Sequence, residues 1–265
     1  MQTYLEAFDE NQLLDASKRV NALVRSLQGR KVEEDDWTKL YCDVKNAPYP
    51  GWSNLPFRDY IHEGIGVEFK LLKKKNPSSY MTKWLMHPAA TRKIDFDPSE
   101  APEVAMAKVF AGWNSLIDEF EARVKATSKD GRADLRWGIL LWAEDHSEFL
   151  YFEERLEKPQ PEDFAAKWHE GKHRGKETRN LHIFERANPK IKRFSVTMPG
   201  NGSKLQPYFR IPTIEEGAHL FQAEQHNSVP LFVEKGDLDR LLRFFPDESP
   251  EASFGMLLDA EEARR

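Results

Sequence analysis

Apolar residues along this chain change period several times, and each change marks an expected element. Leu13, Leu14, Val20, Leu23, Val24 and Leu27 approximate one face of a helix over residues 11 to 29, with Gly29 as its stop. Glu33-Glu34-Asp35-Asp36 precedes Trp37, Leu40 and Tyr41, an acidic first turn for a second helix. The turn-rich Asn46-Ala-Pro-Tyr-Pro-Gly-Trp-Ser-Asn54 follows. Ile65 to Leu72 is apolar on both faces and reads as a buried strand. Residues 78 to 97 mix basic and aromatic side chains, Trp84 and Arg92 among them, in no clear period.

The helical period returns strongly from Glu103 to Lys125, with Val104, Met106, Ala107, Phe110, Ala111, Trp113, Leu116, Ile117 and Phe120 on the apolar side. Trp137 to Trp142 is a buried strand, and Glu144 to Ser147 turns it into a second, antiparallel strand from Glu148 to Phe152. A short helix is expected around Asp163 to Trp168, then a basic polar stretch, His169 to Arg179, read as a solvated loop. Leu181 to Phe184, Lys192 to Thr197 and Leu205 to Ile211 are expected strands, and the acidic tail carries a helix over Asp237 to Phe245. The order predicts an α/β fold with a mixed central sheet flanked by helices and a C-terminal β-rich elaboration. With no repeat and no clear linker, residues 1–265 read as a single domain. Its parts are a helical portion to about 45, a core over about 46–157 and the elaboration over about 158–265.

Composition narrows the function classes. A net charge of −5 argues against a protein coated in nucleic acid, but not against an enzyme whose positive charge is confined to one cleft. The single Cys42 excludes a disulfide framework and fits a reducing cytoplasm. No apolar run reaches bilayer-spanning length, and the first ten residues lack the basic and apolar pattern of a signal peptide, so no membrane is expected as a partner.

The chemistry concentrates in the Ile65–Leu72 strand. Its period of two puts Glu68 and Lys70 on one face and Val67, Phe69 and Leu71 on the other. Asp59 ends the preceding Phe57-Arg58-Asp59 segment, and a break at Gly64-Ile65-Gly66 would fold that segment back beside the strand. Two carboxylates and an ammonium would then converge, which is expensive unless they pair or bind a metal.

Asp59 … Glu68-Phe69-Lys70 resembles the active-site pattern of the PD-(D/E)xK nuclease superfamily, to which most type II restriction endonucleases belong. Arg58 stands where the family pattern has Pro. The resemblance implies a Mg²⁺-dependent endonuclease on double-stranded DNA, most simply a restriction enzyme, with a repair or junction-resolving nuclease as the alternative. It implies Asp59, Glu68 and the Phe69 carbonyl as metal ligands, Lys70 as the residue that orients water and stabilises developing charge, and an extra carboxylate from a leading helix, for which Glu34 is the candidate. Lys73, Lys74 and Lys75 follow the motif where a phosphate backbone needs neutralising, and Arg92 falls in the basic stretch beyond. Lys192, Arg193, Lys204, Gln206 and Arg210 flank the C-terminal hairpin with side chains suited to major-groove edges. Symmetric duplex sites would favour a homodimer.

Three rival readings remain. Asp43-Val44-Lys45 also fits acid-x-Lys. His169-Glu170-Gly171-Lys172-His173 is a formal HExxH, which on a helix would make a zinc metallopeptidase site, although Gly171 and Gly175 disfavour that helix. A non-catalytic DNA-binding module would keep the fold and use the acids only as ion-pair partners of Lys70.

Overall fold

The computed structural model describes residues 4–27, 29–51, 57–87, 97–173, 176–197 and 204–223. In chain order the elements are β1 (Tyr4–Leu5), α1 (Glu10–Leu27), α2 (Glu34–Val44), β2 (Tyr60–His62), β3 (Ile65–Lys74), β4 (Trp84–Met86), α3 (Pro102–Lys125), β5 (Asp134–Ala143), β6 (Glu148–Arg155), β7 (Phe164–His173), β8 (Lys176–Glu185), β9 (Lys192–Thr197), β10 (Lys204–Arg210) and β11 (His219–Gln222). The fold is α/β, as the periodicity predicts. The helix expected over Asp237 to Phe245 lies outside the described residues.

The first sheet is mixed, in the order β1-β6-β5-β3-β2, with β11 also on β6. β3 pairs in parallel with β5 and antiparallel with β2, so the charged strand lies inside the sheet. β2 and β3 are joined by Glu63 and Gly64, both at positive φ (45° and 81°), as a two-residue type I′ hairpin demands. α1 and α2 pack with one face of this sheet, where Val67 and Phe69 join Trp37, Tyr41 and Tyr151 in one apolar cluster. α3 covers the other face. Gly66 permits its close approach, since a Cβ there would stand 2.4 Å from Val124 Cγ2.

The C-terminal elaboration is a sheet in its own right, antiparallel in the order β4-β10-β9-β8-β7. It shares α3's apolar cluster with the first sheet: Trp113 and Trp137 stack at 5.9 Å, and Phe209 of β10 meets Trp137 at 5.7 Å. Trp84–Met86, in the stretch without a period, supplies its edge strand.

Two expectations are corrected here. Asp163 to Trp168 is no helix: a single 3-10 turn at Pro161–Asp163 passes directly into β7. His169 to His173 and Lys176 to Arg179 are not loop, because they pair as strands in β7 and β8. Sheet-edge β7 alternates partly buried Phe164, buried Ala166 and partly buried Trp168 with Ala165, Lys167 and His169, and its outer half is hydrophilic enough to mimic a solvated segment.

Candidate metal centre

The acidic run at the start of α2 divides its work. Glu33 and Asp36 form a capping box, and Asp36 also takes two 2.7 Å bonds from the Arg30 guanidinium. Asp35 accepts from the Tyr49 hydroxyl. That leaves Glu34, at the first helical position, to face β3. Its Oε1 lies 2.8 Å from Lys70 Nζ.

Asp59 immediately precedes β2 and is held from both sides. The amide of Phe69 donates to its Oδ2 at 2.7 Å. Before it, Phe57 adopts φ 59°, a strained conformation for a bulky residue. Packing pins that strain in place: Phe57 is stacked on Phe120 at 5.1 Å, and its carbonyl accepts from Arg123 at 3.0 Å.

Glu68 is only 5% exposed. Its Oε1 is 2.9 Å from Lys70 Nζ, while Oε2 is buried with no hydrogen-bond partner. Glu34, Asp59 and Glu68 each offer an oxygen within 4.8 Å of the others, the one carboxylate, histidine or cysteine cluster of this kind among the described residues. The Asp59 of the sequence pattern and the Glu34 of the leading helix therefore meet Glu68 and Lys70 in one place. Lys70 also donates to the Phe69 carbonyl at 2.6 Å, so a cation taking that carbonyl would displace the bond.

Electrostatics mark the cluster as starved of positive charge. Burial, then the charge of Glu68, hold the Asp59 carboxyl well above its usual range. Burial likewise raises Glu68, against the opposing pull of Lys70. For Lys70 burial alone would lower the pKa, but Glu68, Glu34 and Asp59 more than offset it and keep the ammonium protonated. An all-oxygen donor set with an orphaned buried carboxylate oxygen fits a hard divalent cation such as Mg²⁺.

The other predicted residues are dispersed. Lys73 pairs with Glu144 at 2.5 Å, Lys74 lies over the Tyr80 ring at 4.9 Å, and exposed Lys75 follows β3. Arg92 lies outside the described residues. Lys192 sits over Tyr208 at 4.7 Å, Arg193 pairs with Glu185 at 3.0 Å and Arg210 with Glu216 at 2.9 Å. Lys204 opens β10. Gln206 is a correction: it is buried within the sheet and cannot reach a base edge.

Two of the rivals lose their geometry. Asp43 and Lys45 end α2, where Asp43 pairs with Lys39 and Arg19, and Lys45 donates to Gln12. His169 and Glu170 are strand neighbours on β7 and so point to opposite faces. His169 stacks on His182 at 4.5 Å and Glu170 pairs with Arg179.

No protein-family model, curated protein or solved structure matches this chain. Among the described residues, no helix is long and apolar enough to cross a membrane.

Proposed function

We propose that this chain is a Mg²⁺-dependent endodeoxyribonuclease acting on double-stranded DNA, of the restriction type. The observation that carries the reading is the convergence of Glu34, Asp59 and Glu68 within 4.8 Å, beside a lysine two residues after Glu68 on an internal strand. Glu34, Asp59 and Glu68 would hold the cation, joined by the Phe69 carbonyl as the resemblance implies. When bound, Mg²⁺ supplies Lewis-acid polarisation of the scissile phosphate and a lowered pKa for water. Lys70 keeps its proton and presents a fixed positive charge where negative charge builds on the phosphoryl oxygens. The strained Phe57 turn and the Phe69 amide hold Asp59 against the strand, so the ligand oxygens are oriented before substrate arrives. Water is the attacking group, so no side-chain nucleophile is needed.

A second reading has one observation in its favour. Lys70 already bridges Glu34 and Glu68, as it would in a DNA-binding module that uses the acids only as internal counter-charges. Incubating supercoiled plasmid with the purified chain, with and without Mg²⁺, separates the two. Nicking or linearisation only with Mg²⁺, lost in Asp59→Ala, supports the nuclease. Duplex binding without cleavage in Mg²⁺ or Mn²⁺ supports the module.

A further inference from the structure

The segment that delivers Asp59 carries a cation that the fold does not use. Arg58 stands between Phe57 and Asp59, where the family pattern has Pro, so the pattern assigns it no role. It is exposed, and among the described residues it has no hydrogen-bond or ion-pair partner. Other basic groups around this edge of the first sheet are committed. Arg123 donates to the Phe57 carbonyl and lies over the Phe120 ring at 5.9 Å, Lys129 faces Glu63 at 3.9 Å, and Lys73 pairs with Glu144. Both neighbours of Arg58 are fixed: Phe57 is 2% exposed and stacked on Phe120, and Asp59 is held by the Phe69 amide at 2.7 Å. A guanidinium is thus carried on anchored backbone, one residue from a metal ligand, and left in solvent.

We propose that Arg58 binds a backbone phosphate flanking the scissile one, an inference that rests on the nuclease reading above. The charge of the centre calls for such a group. Glu34, Asp59 and Glu68, once ionised, are balanced by Lys70 and one divalent cation, so the loaded centre is close to neutral and attracts a polyanion little. Affinity for a duplex then depends on cations outside the cluster. Placement selects the phosphate. The Cα atoms of Arg58 and Asp59 are consecutive, about 3.8 Å apart, and phosphates along one strand recur about every 3.4 Å of helix axis. The metal and Lys70 take the scissile group, so Arg58 meets the next one along. A guanidinium suits that contact because it keeps its charge and can grip two phosphate oxygens at once. Anchored backbone at Phe57 and Asp59 limits the freedom lost on contact. Arg58 is then a positioning residue that sets the register of the strand on the metal centre.

The first arm of the test is fluorescence anisotropy of a labelled mixed-sequence duplex with the full chain in Ca²⁺, at several salt concentrations. Arg58→Ala should bind about tenfold more weakly than wild type, with a salt slope smaller by about one, and Arg58→Lys should recover part of both. Equal affinity and slope in wild type and Arg58→Ala would overturn the proposal. The second arm asks whether Asp59 is undisturbed. Ca²⁺ should raise the melting temperature of Arg58→Ala as much as that of wild type; loss of that rise in the variant alone would make Arg58 a support for the metal ligand and overturn the phosphate contact. The third arm places the contact, with single methylphosphonates around the cut that wild type makes in Mg²⁺. One flanking substitution should weaken wild-type binding about tenfold and leave Arg58→Ala unchanged, whereas the same dependence at every position in both proteins would count against it. A reduced slope in Arg58→Ala without Mg²⁺-dependent plasmid cleavage by wild type would uphold the phosphate contact and sink the nuclease; cleavage with an unchanged slope would do the reverse.

Discussion

The ammonium of Lys70 lies 2.9 Å from Oε1 of Glu68, the residue two before it on the same face of β3. An ion pair within one internal strand is costly to desolvate, so each partner depends on the other remaining charged. Lys70→Met keeps most of the volume and removes the charge. In metal-free buffer it should lose about 3–5 kcal/mol in urea unfolding. The loss should be smaller at pH 5 than at pH 8, because a Glu68 without its partner escapes the penalty by taking a proton. Cleavage should stop, yet Mg²⁺ or Ca²⁺ should still raise the melting temperature, since an ammonium contributes no ligand. Unchanged stability at both pH values would mean Lys70 is not the counter-charge of Glu68.

A cation shared by the carboxylates should stabilise the native state by linkage. At about one hundred times its dissociation constant the gain is about 2.7 kcal/mol. Calorimetric scans should show the melting temperature rising with Mg²⁺, Mn²⁺ or Ca²⁺ in wild type, and little or no rise in Asp59→Ala or Glu68→Ala. Duplex affinity should survive both changes, because it comes mainly from phosphate contacts elsewhere. Equal metal stabilisation of all three proteins, with cleavage intact, would place the active site away from this cluster.

Much of this arrangement was legible in the sequence because β3 is short-range chemistry. Alternation alone places Glu68 and Lys70 on one face, and Gly64 announces the turn that brings Asp59 back. The buried Trp137 strand and the long apolar stripe of α3 were equally plain. Glu34 is different: 36 residues separate it from Lys70, and only the packing of α2 on the sheet joins them. Residues beside it in sequence look identical in charge, but Glu33 and Asp36 cap the helix and Asp35 accepts from Tyr49. The Leu181–Phe184 half of β8 shows its strand pattern, whereas β7 and the start of β8 do not, because the outer half of the hairpin has few apolar residues and backbone pairing organises it. Trp84–Met86 escaped because three residues cannot display a period.

The HExxH pattern gives a direct control. On β7 Glu170 points to the face opposite His169, so base and ligand cannot gather on one side as they would on a helix. His169→Ala combined with His173→Ala should leave Mg²⁺-dependent cleavage within about tenfold, a barrier change near 1.4 kcal/mol. Elemental analysis of the wild type should show no stoichiometric zinc. Zinc at one equivalent, lost in the double variant along with a peptidase activity, would restore the metallopeptidase.

Glu154 offers a pH signature separable from the metal centre. Its carboxyl is held at about 8 by burial, against an ordinary value of 4.5. Between those values the native state keeps a proton that the unfolded chain releases. The contribution of Glu154 is therefore fully present below pH 4.5, and it is lost as pH rises through 8. Over pH 5 to 8 that loss amounts to about 4 kcal/mol as an upper bound, at 1.36 kcal/mol per pH unit. Asp59 and Glu68 are also raised and act in the same direction, so the informative quantity is the difference between wild type and Glu154→Gln. Gln keeps the shape and a donor–acceptor pair without a titrating proton. Urea unfolding at pH 5 and pH 8 should show a steeper fall in wild type than in Glu154→Gln, the variant being the more stable of the two at pH 8. Parallel falls in the two proteins would mean that Glu154 ionises in the native state as readily as in the unfolded chain.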